Sequence, residues 1–240
     1  TNFENVYAGT QNDTLTGDNG DNRLVGYGGS DTLTGGAGDD ELYGHFRGFG
    51  SMGLTGAMGS DSADTLYGGA GNDALYGGAG DDILDGGTGR DVLSGEGSAN
   101  SDSSYQDADN KWGGPAGSDV FITRAGDGST VLAEADVITD FQDGTDLIGL
   151  DGINFNDLSI EQGEGACSED TIVKYGVEHL FVVQQMQSSN MTDVDFTPYA
   201  SSVTQSSTES GDSTSYGLSD ACSGSESSDD GADSDTGTDT

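Results

Sequence analysis

Between residues 35 and 94 the chain repeats Gly-Gly-x-Gly-x-Asp-x-Leu-x, nine residues at a time. The clearest copies are GGAGDDELY (35–43), GGAGNDALY (68–76), GGAGDDILD (77–85) and GGTGRDVLS (86–94). A period of nine is too short for a helical repeat, and glycines at positions 1, 2 and 4 would each cost a helix interior roughly 1 kcal/mol relative to Ala. They suit instead a tight turn in which the backbone visits positive φ. These glycines are Gly35, Gly36 and Gly38; Gly68, Gly69 and Gly71; Gly77, Gly78 and Gly80; and Gly86, Gly87 and Gly89. The closing x-Leu-x alternates polar or small with apolar, as a very short strand does. Each unit therefore reads as half a coil, turn plus strand, and two units close a coil of about eighteen residues.

Stacked coils pair their strands in parallel, roughly 4.7–4.9 Å apart. Leu15, Leu24, Leu33, Leu42, Leu66, Leu75, Leu84 and Leu93 then fill the interior in two rows. The sixth-position residues Asp13, Asn22, Asp31, Asp40, Asp64, Asp73, Asp82 and Asp91 line the two edges. Residues eighteen apart, such as Asp13 and Asp31, Asp64 and Asp82, or Asp73 and Asp91, become vertical neighbours about 5 Å apart. Two carboxylates that close repel by several kcal/mol at an effective dielectric of about 20, and a cation between them reverses the sign. Calcium takes six to eight oxygens at about 2.3–2.6 Å, so the gap spans two bond lengths, and the glycine turns can aim carbonyls at the same point. Magnesium wants a tighter octahedron, and zinc wants His or Cys, which the repeats lack. The residues point to several calcium ions.

The competing reading is a Gly-rich, acidic, disordered segment. Random low complexity would not hold Leu and Asp in fixed phase over consecutive units. The earliest copies, AGTQNDTLT (8–16), GDNGDNRLV (17–25) and GYGGSDTLT (26–34), keep positions 6 and 8 but lose glycines. Asn22 offers a neutral oxygen where the others offer charge, so the edge shared by Asn22 and Asp40 is expected to bind more weakly.

The formal net charge is −38 on 240 residues, opposed only by Arg23, Arg47, Arg90, Lys111, Arg124 and Lys174. That excludes nucleic-acid binding, which needs a basic surface, and disfavours anionic membranes. No apolar run reaches the eighteen or so residues of a membrane span. Self-repulsion opposes a compact state, and leucine rows one residue wide offset little of it. Folding is therefore expected to need calcium, with sites filled outside a cell and empty in cytosol. Cys167 and Cys222 read as isolated thiols, with no metal-type spacing. Thr1 is not an initiator Met and no signal-peptide pattern follows it, so the sequence reads as a piece of a longer chain.

The expected fold is all-β: a parallel β-roll over residues 1–121, a β-rich C-terminal cap over 122–199, and a disordered acidic tail over 200–240. Residues 1–7 form a leading strand. Insertions at 44–58 and 95–115 interrupt the period, the first dividing the roll into two shorter stacks, 8–43 and 59–94. The repeat returns at GGPAGSDVF (113–121) with one extra residue, Asp119 in the acidic slot and Phe121 in the apolar one. Strand patterns follow at Val120–Thr123, Thr130–Ala133, Asp136–Phe141, Asp146–Leu150, Thr171–Tyr175 and Glu178–Val183. A cap is needed because the last coil would otherwise expose strand edges and a leucine face. The tail is Ser, Thr, Gly, Asp and Glu with nine acidic residues and neither Lys nor Arg, a composition that buries no core.

The entry FENVYAGTQNDTLTGDNGDNRL, the repeats and ADVITDFQDGTDLIGLDG together resemble secreted RTX, or haemolysin-type, calcium-binding proteins over about residues 1–199. ADVITDF followed by a DG turn and DLIGL is similar to the C-terminal cap of serralysin-type proteases, and TDVDF (192–196) resembles that cap's last strand. The resemblance implies a calcium-binding β-roll on a secreted, extracellular or cell-surface protein. It also implies folding after export by type I secretion machinery, with an uncleaved C-terminal signal.

No H-E-x-x-H, G-x-S-x-G or phosphate-binding loop occurs, and the regular carboxylates are already assigned to calcium. His45 lies in the first insertion and His179 in an expected strand. The chain therefore reads as a non-enzymatic calcium-binding module. The alternative is the accessory C-terminal part of a secreted metalloprotease, lipase or polysaccharide epimerase whose catalytic domain lies upstream. Neither membrane insertion nor a nucleic-acid partner is expected, and the sequence leaves any extracellular ligand open.

Overall fold

The computed structural model describes residues 5–45, 63–96 and 117–200. Its first nine strands alternate between two walls of a flattened coil: β1 (Asn5–Tyr7), β2 (Thr14–Thr16), β3 (Arg23–Val25), β4 (Thr32–Ala37), β5 (Glu41–Tyr43), β6 (Thr65–Ala70), β7 (Ala74–Tyr76), β8 (Ile83–Thr88) and β9 (Val92–Ser94). Seven more follow: β10 (Val120–Arg124), β11 (Asp136–Ile138), β12 (Leu147–Asp151), β13 (Leu158–Gln162), β14 (Thr171–Tyr175), β15 (Glu178–Val183) and β16 (Phe196–Tyr199). One sheet runs β1-β3-β5-β7-β9-β11-β15-β14-β13 and the other β16-β12-β10-β8-β6-β4-β2. Every pairing within the roll is parallel. Among the described residues the antiparallel pairings are the hairpins β13–β14 and β14–β15 and an isolated bridge between Ser129 and His179.

The registers explain the leucines. In one wall Val6, Leu24, Leu42, Leu75, Leu93, Ile138 and Val183 stand in line. In the other Leu15, Leu33, Leu66, Leu84, Phe121, Ile148 and Phe196 do the same. The two rows meet in one core, with Leu24, Leu33, Leu42, Leu66, Leu75 and Leu84 fully buried. Successive side chains of a strand face opposite ways, so the seventh and ninth residues of each unit point outward. On the outer face of the first wall Tyr43 and Tyr76 are buried with Val25 and Ala74 in a second, smaller apolar cluster, their rings stacked with centroids 4.9 Å apart.

The roll is one stack, not two. β4 pairs directly with β6 and β5 with β7, so Leu33 meets Leu66 and Leu42 meets Leu75 across 33 residues. Both neighbours are displaced by the same fifteen residues beyond eighteen, so the added chain leaves the coil's phase untouched. The chain leaves the stack after His45 and rejoins it at Ala63, and leaves again after Glu96 to rejoin at Gly117. Both departures lie on the same edge of the roll. The rest of the two expected insertions, like the tail 201–240, lies outside the described residues.

The parallel stacking continues past Phe121. β10 pairs with β12 and β12 with β16 on one wall, while β9 pairs with β11 and β11 with β15 on the other. Arg124 ties this continuation to the repeats, its guanidinium reaching Asp85 at 2.6 Å, Asp127 at 3.2 Å and Asp151 at 3.4 Å. The expected strand at Thr130–Ala133 is instead a 3-10 turn, Leu132–Glu134, because the chain must cross the edge between β10 and β11. The TDVDF segment likewise folds as a 3-10 turn, Asp193–Asp195, closed by Thr192 and Asp195 capping each other, and the last strand begins at Phe196. Cys167 is buried and disulfide-bonded, which corrects the expectation of an isolated thiol; Cys222 lies outside the described residues.

Candidate calcium sites

Each turn GGxGxD carries the chain from one wall to the other in six residues, and its glycines are required for two reasons. At positions 2 and 4 the backbone is left-handed, as at Gly69 (φ 123°) and Gly71 (φ 144°). At position 1 the constraint is space: a Cβ on Gly68 would run into Asp73 Oδ2 and the carbonyl oxygen of Gly86 in the next coil. The same crowding by the unit's own Asp and the next coil's carbonyl occurs at Gly35 and Gly77. Where an early unit departs from the pattern, Tyr27 sits at position 2 with φ 80°, a strained setting for a side chain.

The sixth-position residues form a ladder along each edge. On the first edge Asp13 N–H donates to Asp31 Oδ1 (2.8 Å), Asp31 N–H to Asp64 Oδ1 (2.7 Å) and Asp64 N–H to Asp82 Oδ1 (2.8 Å). Asp82 N–H then donates to Asp119 Oδ1 at 2.9 Å. On the second edge Asn22 N–H donates to Asp40 Oδ1 (2.7 Å), Asp40 N–H to Asp73 Oδ1 (2.7 Å) and Asp73 N–H to Asp91 Oδ1 (2.8 Å). The sixth-position residues singled out in sequence, with Asp119, thus fall on two lines.

One carboxylate oxygen of each rung is satisfied by the neighbouring coil. The other is not. Oδ2 of Asp31, Asp40, Asp73, Asp82, Asp91 and Asp119 is buried without a hydrogen-bond partner. Buried polar atoms are almost always satisfied, so six orphans of one kind, at one repeat position, are donors arranged for a cation. Each faces the position-1 turn, beside a carbonyl oxygen where the next coil supplies one. Hard oxygen donors, some of them anionic and none replaceable by His or Cys, are what calcium takes. Among the described residues no three His, Cys, Asp or Glu side chains converge as a ready-made cage, so backbone carbonyls must complete any coordination.

The first coil differs. Gly9 N–H donates to Asp13 Oδ2 at 3.1 Å and Asp18 N–H to Asn22 Oδ1 at 2.8 Å. There the turn's own backbone already engages the oxygen that later coils leave bare, in keeping with weaker binding at Asn22.

Burial without a counter-ion raises the carboxylate pKa values. Asp40 and Asp119 are pushed from near 3.8 to about 7 and Asp82 to about 9, desolvation being the largest cause in each. Asp31 is raised as well, and Asp73, Asp91 and Asp136 strongly, again chiefly by burial.

Sequence reasoning missed two parts of this arrangement. The ladders do not stop at the repeats: Asp91 N–H donates to Asp136 Oδ1 (2.9 Å) and Asp119 N–H to Asp146 Oδ1 (3.1 Å). The signal was present, since Asp136-Val-Ile138 and Asp146-Leu-Ile148 keep the Asp-x-apolar phase after the glycines have gone. A second ladder uses position 5 and runs the other way. Asp39 N–H donates to Asp21 Oδ1, Asn72 N–H to Asp39 Oδ1 and Arg90 N–H to Asn72 Oδ1, at 2.8–3.0 Å.

A family model of the RTX calcium-binding nonapeptide repeat matches in four copies, over residues 3–31, 16–46 and 58–93. These coils are RTX calcium-binding repeats. The RTX roll is also similar to two solved structures. One is the extracellular lipase LipA from Serratia marcescens, at 16% identity and a TM-score of 0.35 over 80% of this chain and 39% of the lipase. The other is the solution structure of the AlgE6R3 subunit from the Azotobacter vinelandii mannuronan C5-epimerase, at 18% identity and a TM-score of 0.22 over 88% of this chain and 93% of that one. The chain thus spans about two fifths of the lipase's length. No curated protein matches it.

Two outcomes follow from this RTX geometry. Gly68→Ala should weaken calcium binding and lower the calcium-loaded melting temperature, while Gly20→Ala, whose nearest contact would be 3.6 Å away, should leave both close to the parent. Calorimetric titration and thermal melts distinguish them, and equal effects would contradict the cradle. In the metal-free fold the raised carboxylates bind protons that the unfolded chain, with pKa values near 3.9, has released. The folded state therefore holds more protons across roughly pH 4–9, and its stability falls as pH rises through that window. Calcium-free protein should show more β-structure by circular dichroism at pH 5 than at pH 8; a flat profile would contradict the burial of these carboxylates.

Proposed function

We propose that this chain is a calcium-triggered folding module of a secreted protein, with residues 1–121 as the calcium-binding roll and 122–199 as its cap. The observation that carries the proposal is the row of buried Asp Oδ2 atoms without a partner. A fold that buries that many bare carboxylate oxygens, on a chain of net charge −38, is stabilised by positive charge placed beside them. Asp31, Asp40, Asp64, Asp73, Asp82, Asp91 and Asp119, with the carbonyls of the glycine turns, are the proposed ligands. Calcium bound there supplies positive charge between coils.

Binding to the folded state alone stabilises it by RT ln(1 + [L]/Kd), about 1.4 kcal/mol per site at ten times Kd. Extracellular calcium modules bind at about 10⁻⁴–10⁻³ M, so sites of that class stay empty in cytosol and fill outside. Several such increments suffice to move a marginal roll from mostly unfolded to mostly folded. Export by type I machinery as an unfolded chain, followed by folding in the extracellular medium, fits that dependence. No helix among the described residues is long and apolar enough to cross a membrane. The ladder carboxylates are committed to the backbone and to calcium, so the module's role is structural, not catalytic.

Far-UV circular dichroism on the full chain tests this directly. In chelator the spectrum should be that of an unfolded chain, and millimolar calcium should produce the β signal in a cooperative step that magnesium does not reproduce. A β spectrum of full intensity in chelator at neutral pH would sink the proposal.

A further inference from the structure

Cys167 sits in the turn 163–170 between β13 and β14, on a backbone that its neighbours hold in place. Gly163 N–H donates to the Asp170 carbonyl at 2.9 Å, Cys167 N–H to that of Glu164 at 3.1 Å, and Asp170 N–H to that of Cys167 at 2.9 Å. Gln162 braces the turn from the strand. Its Nε2 donates to the carbonyls of Ser168 (3.1 Å) and Asp170 (2.8 Å), and its Oε1 accepts Ser188 N–H at 2.8 Å. Asp170 Oδ1 accepts Gln185 N–H at 2.9 Å. Glu164, Gly165, Ala166, Ser168 and Glu169 are exposed, yet Cys167 among them is 3% exposed.

Cys167 is disulfide-bonded, and no cysteine among the described residues is free. The sequence holds two cysteines, Cys167 and Cys222, so a bond within one chain joins these two. Cys222 belongs to the segment 200–240, which carries nine acidic residues and neither Lys nor Arg. The turn around Cys167 is acidic as well, with Glu164, Glu169 and Asp170. Like charges brought close repel, so electrostatics oppose seating that segment on this turn. A covalent bond overcomes the repulsion, and breaking it lets the segment go.

We propose that Cys167 is the cap's anchor for a disulfide to Cys222, a redox-dependent tie that fastens the acidic C-terminal segment to the β13–β14 turn. Closing it converts two thiols to one S–S bond. The two electrons and two protons pass to an oxidant such as a small-molecule disulfide, which is itself reduced to two thiols. A reducing cytosol keeps both thiols open, and an oxidising medium closes the bond. The segment is therefore free inside a cell and tethered outside it. The tie does not depend on calcium, and takes from the secreted reading only its oxidising setting.

Mass spectrometry of the full chain, refolded in calcium with oxidised and reduced glutathione, tests the tie. Alkylation with iodoacetamide in denaturant should add nothing to the oxidised monomer and two groups to the reduced one. Cleavage after glutamates should yield 165–169 joined to 210–226, a pair that reductant separates. Cys222→Ser should leave one alkylatable thiol. Two alkylatable thiols in the oxidised chain, or 165–169 joined to a second copy of itself, would overturn the proposal. A chain that yields the linked pair but binds no calcium contradicts the calcium reading and leaves the tie standing.

Discussion

The structure depends on one arrangement: an aspartate carboxylate that accepts a backbone N–H from the adjacent coil with one oxygen and leaves the other bare. Stacking coils at β-sheet spacing forces such residues into register, because the leucine two residues later must face the core. The repeat therefore cannot bury its leucines without lining up its carboxylates. The hydrogen-bonded oxygen fixes each side chain, so the bare one is held in place before any ion arrives. Under the proposed calcium-triggered folding, such preorganisation costs stability in the metal-free state and recovers it on binding.

The two edges are not equivalent. The edge carrying Asn22, Asp40, Asp73 and Asp91 is built from four six-residue turns, 17–22, 35–40, 68–73 and 86–91, stacked without interruption. The other edge carries both long departures from the coil, on either side of the turn 77–82. Because the turn at 77–82 keeps its glycines and Asp82 keeps its rungs to Asp64 and Asp119, the ladder passes both departures unbroken. Length is tolerated where it does not alter which residue enters the wall. What the roll does not tolerate is a change of phase, and the matching displacement of Leu66 and Leu75 shows that none occurred.

Much of this was legible in the nine-residue period. Positions 6 and 8 alone place the two leucine rows and the Asp ladders, because a solenoid converts sequence spacing directly into vertical alignment. Three things were not. The first was continuity across 44–58, since a spacing of 24 between Asp40 and Asp64 gives no hint that pairing skips to the coil below. The second was the extension of the ladders to Asp136 and Asp146, hidden because the glycine signature ends while the Asp-x-apolar phase persists. The third was Leu158–Gln162, whose inward Leu158 and Ile160 alternate as a strand should, yet whose partner β14 is set by antiparallel contacts that no local pattern specifies.

The central claim is that calcium, and not the leucine core alone, holds the coils in register. Hydrogen exchange at the ladder amides of Asp31, Asp40, Asp64, Asp73 and Asp82 reads this at the bonds concerned, because each donates to a carboxylate one coil away. With calcium these amides should be protected together. In chelator at neutral pH they should lose that protection as a group. Protection that survives removal of calcium unchanged would show that the roll stands without the ion and would contradict the account.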